Sequence, residues 1–149
     1  MANALVVGDI LEVTLPAGVA YVSYAGKNES LGDAIWVVPR VLPAPTTDWK
    51  AVFAGEGYFA FYPANAAVRR RLVRKVGHSI DAMHLVPAKR RNVANVDATG
   101  TVTSWVITEG TTRVPRSDAE LDESERQLPV ADIWNHQYLI EAIASGMRL

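Results

Sequence analysis

The sequence contains no cysteine, and this absence excludes three kinds of chemistry. Among its 149 residues there is no thiol to build a disulfide scaffold, to bind zinc through sulfur or to act as a nucleophile. A chain of about this length buries roughly 68–70% of the surface that its unfolded state exposes, so a hydrophobic core can stabilise it without a cross-link. We therefore expect a single globular domain over residues 1–149.

The sequence also lacks a strong charge excess and a long apolar run. Its 15 Lys and Arg residues and 16 Asp and Glu residues leave a net charge of −1, which is not typical of a disordered polyelectrolyte or a nucleic-acid coat. No apolar run approaches the ~20 residues that a membrane span needs. The N-terminal residues lack the basic start and apolar core of a signal peptide. These features predict a cytoplasmic protein without a membrane partner.

The first two-thirds of the sequence are typical of short β-strands. Residues 7–15 alternate apolar and polar side chains, the turn residues Pro16-Ala17-Gly18 follow, and residues 19–25 are β-branched and aromatic, which predicts a hairpin. Residues 49–54 and 58–62 flank Gly55-Glu56-Gly57 and predict a second hairpin. Further strands are expected at residues 34–38, 72–76, 92–96 and 101–108.

Before the C-terminal part of the chain, the sequence predicts only short helical segments. Residues 63–71 predict one or two helical turns after a proline. Ser117 and Glu120 have capping-box spacing, which predicts a short acidic helix over residues 118–127. Asp132 is expected to cap a final amphipathic helix that Gly146 ends.

Strands followed by helices favour a mainly β, α+β fold. We expect an SH3-like antiparallel β barrel or roll over about residues 5–115 and a helical part over about residues 117–146. The strand order stays open. Trp134, on the apolar face of the last helix, is expected in the core, and that face also makes a homodimer possible.

Several enzyme-like patterns lack the structural context that their chemistry needs. The G-x-G-x-x-A pattern at residues 55–60 leads into a predicted strand, whereas phosphate binding requires a helix there. Ser79 lies in a pattern without the second glycine of a nucleophile elbow. His78 and His84 lack the i, i+4 spacing of a helical metal pair, and His136 could join them only through the fold. We predict no catalytic residue, no metal and no cofactor, with a small hydrolase built on Ser79 and His78 as the alternative.

Charge is segregated along the chain. Between residues 69 and 91, eight basic residues face Asp81 alone, whereas residues 118–132 contain six acidic residues and Arg126. The basic segment predicts a surface for an acidic protein partner, whose electrostatic field would steer association. Pairing with the chain's own acidic helix and neutralisation of nucleic-acid phosphates are the alternatives. The predicted partner-binding residues are Arg69, Arg70, Arg71, Arg74, Lys75, Tyr58 and Tyr62, the tyrosines being candidates for base stacking.

The opening V-G-D-I-L-E-V-T-L-P-A-G-V-A-Y-V at residues 7–22 resembles the start of Immunity protein 26, a family of bacterial polymorphic-toxin immunity proteins. The runs at residues 34–39 and 58–62 follow in the expected order, and residues 131–146 are similar to the tail of small uncharacterised bacterial proteins. The resemblance implies a compact, mostly β fold and a non-catalytic role, in which the protein binds a cognate toxin and blocks its active site. Our hypothesis is a non-enzymatic protein-binding module of immunity or antitoxin type that neutralises or scaffolds its partner. The alternative is a nucleic-acid-associated accessory protein that uses the basic segment 69–91.

Overall fold

The computed structural model describes residues 4–147, which form two compact units. The first unit contains residues 4–86 and 133–147, and the second contains residues 87–132. The prediction of a mainly β, α+β fold is confirmed, because most regular structure in both units is antiparallel strand.

Strands alternate with short helices along the part of the chain that the structure describes. The first unit contains β1 (Asp9–Leu15), β2 (Gly18–Asn28), β3 (Gly32–Val37), α1 (Trp49–Val52), β4 (Tyr58–Phe61), α2 (Ala64–Arg69), β5 (Arg74–His78), a 3-10 turn (Ile80–Ala82) and α4 (His136–Ala144). The second unit contains β6 (Arg90–Val96), β7 (Val102–Glu109), β8 (Thr112–Ser117), a 3-10 turn (Asp118–Glu120) and α3 (Glu123–Arg126).

The first unit is built on one antiparallel sheet with the strand order β4-β3-β2-β1-β5. The predicted N-terminal hairpin is confirmed, since β1 pairs with β2 and Leu15 lies opposite Gly18. No pairing within residues 4–147 joins β5 back to β4, so the sheet is open. Of the predicted barrel or roll, the barrel is therefore not formed by this sheet.

Both faces of this sheet are covered. Leu11 and Val13 of β1 pack on one face with apolar residues of α2 and α4. Trp134 belongs to this cluster, so its predicted burial is confirmed, although it precedes α4 instead of lying on the apolar face of that helix. Ile10 and Tyr21 pack on the other face with the residues around α1. The two covered faces explain why β2 is buried along most of its length instead of alternating between core and solvent.

The prediction of a strand over residues 49–54 is wrong. Asp48 Oδ1 accepts a hydrogen bond from the Ala51 N–H at 3.2 Å, which caps α1. β4 consequently pairs with β3, not with residues 49–54, and the second predicted hairpin does not form. The capping residue Asp48 thus decides that this segment is helical, although its aromatic and β-branched residues favour a strand.

The last helix begins later than predicted. Asn135 Oδ1 accepts the Tyr138 N–H at 2.8 Å and caps α4, so the prediction of Asp132 as the cap is wrong. The chain before the cap is extended, because Ile133 bridges Phe61 of β4 and the Trp134 N–H donates to the Phe61 carbonyl. The helix ends before Gly146, which has a φ of 69°, as predicted.

The second unit contains a three-stranded sheet with the order β6-β7-β8. No strand is predicted from the sequence at the position of β8, which contains Pro115; as an edge strand, β8 tolerates a proline. The predicted acidic helix is interrupted at Leu121, whose side chain joins the core of this unit, and Asp122 caps α3 separately. The predicted capping box of Ser117 and Glu120 is confirmed.

Candidate functional site

A buried carboxylate organises the junction of β1 and β5. Asp9 is only 1% exposed, and the antiparallel register places it opposite His78. Its Oδ1 lies 2.9 Å from His78 Nδ1, and its Oδ2 lies 3.4 Å from Lys75 Nζ and accepts the Val6 N–H at 2.9 Å. Because a carboxylate only accepts hydrogen bonds, the proton in the His78 contact lies on Nδ1. Asp9 thus fixes two surface side chains and the backbone at Val6.

Five predicted partner-binding residues form a basic surface at the end of α2 and along β5: Arg69, Arg70, Arg71, Arg74 and Lys75. Arg74 Nη2 lies 3.1 Å from Glu12 Oε1, and Lys75 contacts Asp9 as described above. Arg69, Arg70 and Arg71 are exposed, and no side-chain hydrogen bond or ion pair engages them among residues 4–147. Three guanidinium groups therefore remain available to a partner.

Arg71 has a left-handed backbone conformation with a φ of 60°. It follows Arg70, the C-terminal cap of α2, at a position that glycine most often occupies. The left-handed conformation costs a residue with a side chain roughly 1–2 kcal/mol. Here it ends α2 in a Schellman motif, because the Leu72 N–H donates to the Ala67 carbonyl and the Arg71 N–H donates to the Val68 carbonyl.

An exposed apolar patch adjoins the Asp9 carboxylate. Ile80 is 80% exposed and Leu85 is 71% exposed, so neither side chain belongs to a core cluster. A Cβ atom at Gly8 would lie 2.8 Å from Met83 Cγ and 3.0 Å from His78 Cε1, so these two side chains meet over Gly8. Leu85 approaches the chain at Gly26 in the same way. We define the apolar patch as Val6, Ile80, Met83 and Leu85.

The residues of this patch have neither helical nor strand periodicity, so the sequence pattern does not predict it. A signal was present, however. Ile80, Met83 and Leu85 are large apolar side chains between the strands predicted at residues 72–76 and 92–96, where polar residues are the norm. The patch meets the basic surface at Asp9, which contacts Lys75 and the Val6 backbone together.

Tyr58 and Tyr62 do not belong to this surface. Both side chains lie in the core of the first unit, where Tyr58 packs edge-on against Trp134 with ring centroids 5.9 Å apart. The Tyr62 hydroxyl lies 2.8 Å from His136 Nδ1, and burial raises the pKa of Tyr62 to about 12. A partner could reach neither ring without opening the core. The structure therefore corrects the predicted site by removing both tyrosines.

The three histidines have separate partners. His78 is held by Asp9, and His136 by Tyr62. His84 stacks on Trp36 with ring centroids 4.1 Å apart, and burial lowers the pKa of His84. Within residues 4–147 no group of three potential metal-ligating side chains is present.

Ser79 participates in a local turn. Its hydroxyl donates to Asp81 Oδ2 at 3.2 Å and accepts the Asp81 N–H at 3.1 Å, which caps the 3-10 turn. No hydrogen bond joins the hydroxyl to a histidine in the part of the chain that the structure describes. This geometry is the capping arrangement of serine rather than that of an activated nucleophile.

The remaining charged segments have structural roles in the second unit. Arg91 is buried over the Trp105 ring, 4.6 Å from its centroid, and its Nε donates to the Leu128 carbonyl. Asp122 caps α3, and its hydrogen bonds lower the pKa of this carboxyl group. The predicted basic segment 69–91 is thus divided, because residues 69–75 lie in the first unit and residues 89–91 in the second.

No protein-family model matches this chain, and no curated protein and no solved structure is significantly similar to it. The resemblance to the Immunity protein 26 family therefore stays a prediction from the residues quoted above. No helix within residues 4–147 combines the length and apolar character that crossing a membrane requires.

Proposed function

We propose that this chain is a non-enzymatic protein-binding module whose partner presents acidic groups to the basic surface and apolar side chains to the apolar patch. One observation carries the proposal: the buried carboxylate of Asp9 contacts both Lys75 of the basic surface and the backbone of Val6, a residue of the apolar patch. Protein interfaces combine a well-packed apolar centre with a polar rim, and arginine is enriched in them.

Asp9 prepares this surface for binding. Lys75 and His78 would otherwise sample many rotamers, and ordering such side chains on binding costs about 0.5–1.5 kcal/mol each. Because the carboxylate holds both side chains in the free protein, part of this cost is removed before the partner arrives.

The resemblance to the Immunity protein 26 family supports a toxin as this partner and the cytoplasm as the place of binding. Under this proposal the surface covers the toxin's active site, which needs affinity and no catalytic group. A nucleic-acid partner has less support, because the net charge is −1 and the two tyrosines expected to stack on bases are buried.

The experiment starts from a C-terminally tagged chain, captures its partner from the host lysate and measures association kinetics with the purified partner. The triple variant R69E/R70E/R71E should slow association roughly tenfold at low salt and reduce its salt dependence. The matched control R40E/K50E/R113E changes the net charge equally at exposed residues outside the surface. It should alter association far less.

Equal kinetics for the two triple variants would refute the proposed surface. A captured nucleic acid that nuclease treatment removes would instead place the accessory-protein alternative first. A second variant, I80S/L85S, tests the apolar patch. It should raise the dissociation rate about tenfold or more with little change in stability, because both residues are already exposed to solvent.

A further inference from the structure

A cavity of about 460 Å³ lies next to the basic surface in the first unit. Its volume falls within the roughly 300–1,000 Å³ that is typical of small-ligand sites. Arg69 belongs both to the basic surface and to the cavity wall. The lining residues are Ala4, Leu5, Tyr24, Lys27, Asn65, Val68 and Arg69.

The polar side of the cavity is rigid. Asp33 is buried, and its carboxylate accepts the Tyr24 hydroxyl at 3.2 Å and both the backbone N–H and the side-chain Nδ2 of Asn65, at 2.9 and 3.1 Å. Asn65 Oδ1 in turn accepts the Leu5 N–H at 3.0 Å. Asp33 and Asn65 are thus satisfied within the protein, and they position Tyr24 and Leu5 at the cavity.

The two cations of the cavity are not satisfied in this way. Lys27 and Arg69 are exposed, and neither has a side-chain hydrogen bond or an ion pair in the described part of the chain. Leu5 and Val68 provide apolar walls beside them. In the β2–β3 register, the backbone of Asp33 lies opposite Lys27. The negative charge of Asp33 repels anions and therefore disfavours binding of a ligand with more than one negative charge.

We infer that this cavity binds a single carboxylate on a short apolar stem, with Lys27 and Arg69 contacting the carboxylate and Leu5 and Val68 enclosing the stem. The carboxylate comes either from a free small acid or from a side chain or C-terminus of the protein partner. The second source rests on the proposed function, because the partner would reach the cavity across Arg69.

The first experiment titrates the full chain with hexanoate, hexan-1-ol and hexylamine, following backbone amides by NMR. Hexanoate should give saturable shifts at Leu5, Lys27 and Val68, whereas the alcohol and the amine should bind far more weakly. K27Q should weaken hexanoate binding about tenfold, the loss expected for one charge-assisted hydrogen bond. The control K50Q removes an exposed lysine on α1 and should leave binding unchanged.

Three results would overturn the inference: no saturation by hexanoate, equal binding of hexan-1-ol, or equal weakening by K27Q and K50Q. V68W fills the cavity and should abolish hexanoate binding; retained binding in folded V68W would also contradict the site. If V68W does not fold, K27Q serves in its place.

The same variants distinguish the two sources of the carboxylate. A partner carboxylate is the ligand if V68W slows or weakens partner binding, and a free acid is the ligand if partner binding is unchanged while hexanoate binding is lost. R70E/R71E leaves every cavity residue in place and therefore tests the proposed function alone. Failure of one proposal can thus be told from failure of the other.

Discussion

At the scale of single residues, two buried aspartates hold side chains in place beside the basic surface and at the cavity. Asp9 fixes Lys75 and His78 at the surface, and Asp33 fixes Tyr24 and Asn65 at the cavity. A buried carboxylate is stable only when donors satisfy it, and both aspartates have several. The partners of each lie on other strands or helices, so the roles of the two residues depend on strand register.

A substitution of Arg71 can separate an effect on stability from an effect on partner binding. Glycine adopts the left-handed conformation without the side-chain penalty, although it loses more conformational freedom on folding. R71G should therefore raise the free energy of unfolding by up to about 1 kcal/mol in urea titrations. The same variant should weaken partner binding, since it removes an exposed guanidinium. A loss of stability would show that the Arg71 side chain has a structural role.

His84 should make stability depend on pH. Burial lowers its pKa, so the folded chain keeps His84 neutral where the unfolded chain would bind a proton. This stability is complete above the ordinary histidine pKa near 6.5 and is lost as pH falls below it toward the folded value. H84F retains a ring against Trp36 and removes the titration, so its urea midpoint should change less between about pH 7 and 5.5.

The wild-type chain is the reference for H84F. Burial also lowers the pKa of His136, so His136 contributes to the pH dependence of stability in the same direction in both proteins. The comparison therefore isolates His84. Parallel pH profiles of wild type and H84F would contradict the prediction.

At the scale of elements, capping residues decide where the short helices form. Asp48 is the N-terminal cap of α1, Asp122 that of α3 and Asn135 that of α4. Residue type predicts a cap for the last helix, but the predicted residue, Asp132, is wrong. Asp132 and Asn135 are both acceptable caps by residue type, and only the pairing of Ile133 with β4 keeps the chain extended up to Asn135.

This competition predicts different effects for the two candidate caps. N135A should lower the free energy of unfolding by about 1 kcal/mol, because it removes the acceptor for the Tyr138 N–H. D132A should change it by no more than about 0.5 kcal/mol, as for an ordinary surface substitution. Chemical denaturation of both variants is the test, and equal losses would contradict the assignment of the cap.

At the scale of the whole molecule, the second unit is inserted into the first along the sequence. Its two ends meet within that unit, because the Arg91 N–H donates to the Pro129 carbonyl and the Ala131 N–H donates to the Arg91 carbonyl. Each unit also has its own apolar cluster. These features are typical of an insertion whose host can fold without it.

We therefore expect a variant in which a short Gly/Ser linker replaces residues 87–132 to remain folded. It should melt cooperatively and keep the NMR signals of the β1–β5 sheet. Under the proposed function it should also bind the partner, since the basic surface and the apolar patch lie in the first unit. An unfolded chain would show that the first unit depends on the second.

The sequence by itself determined the elements with strong local signals. The N-terminal hairpin followed from alternation and a Pro/Gly turn, and the exposed arginines of the basic surface from a basic run. These features depend on neighbouring residues alone. The tertiary structure decided the remaining features, because each of them needs contact partners that are distant along the chain.

Residues 9 and 78 become neighbours only through the pairing of β1 with β5, and this pairing creates the Asp9 contacts. The same folding buries Tyr58 and Tyr62, exposes Ile80 and Leu85, and forms the cavity between chain segments about 60 residues apart. Burial is a property of the packed chain and not of residue type. The sequence therefore determined which side chains were present, and the fold decided which of them a partner can reach.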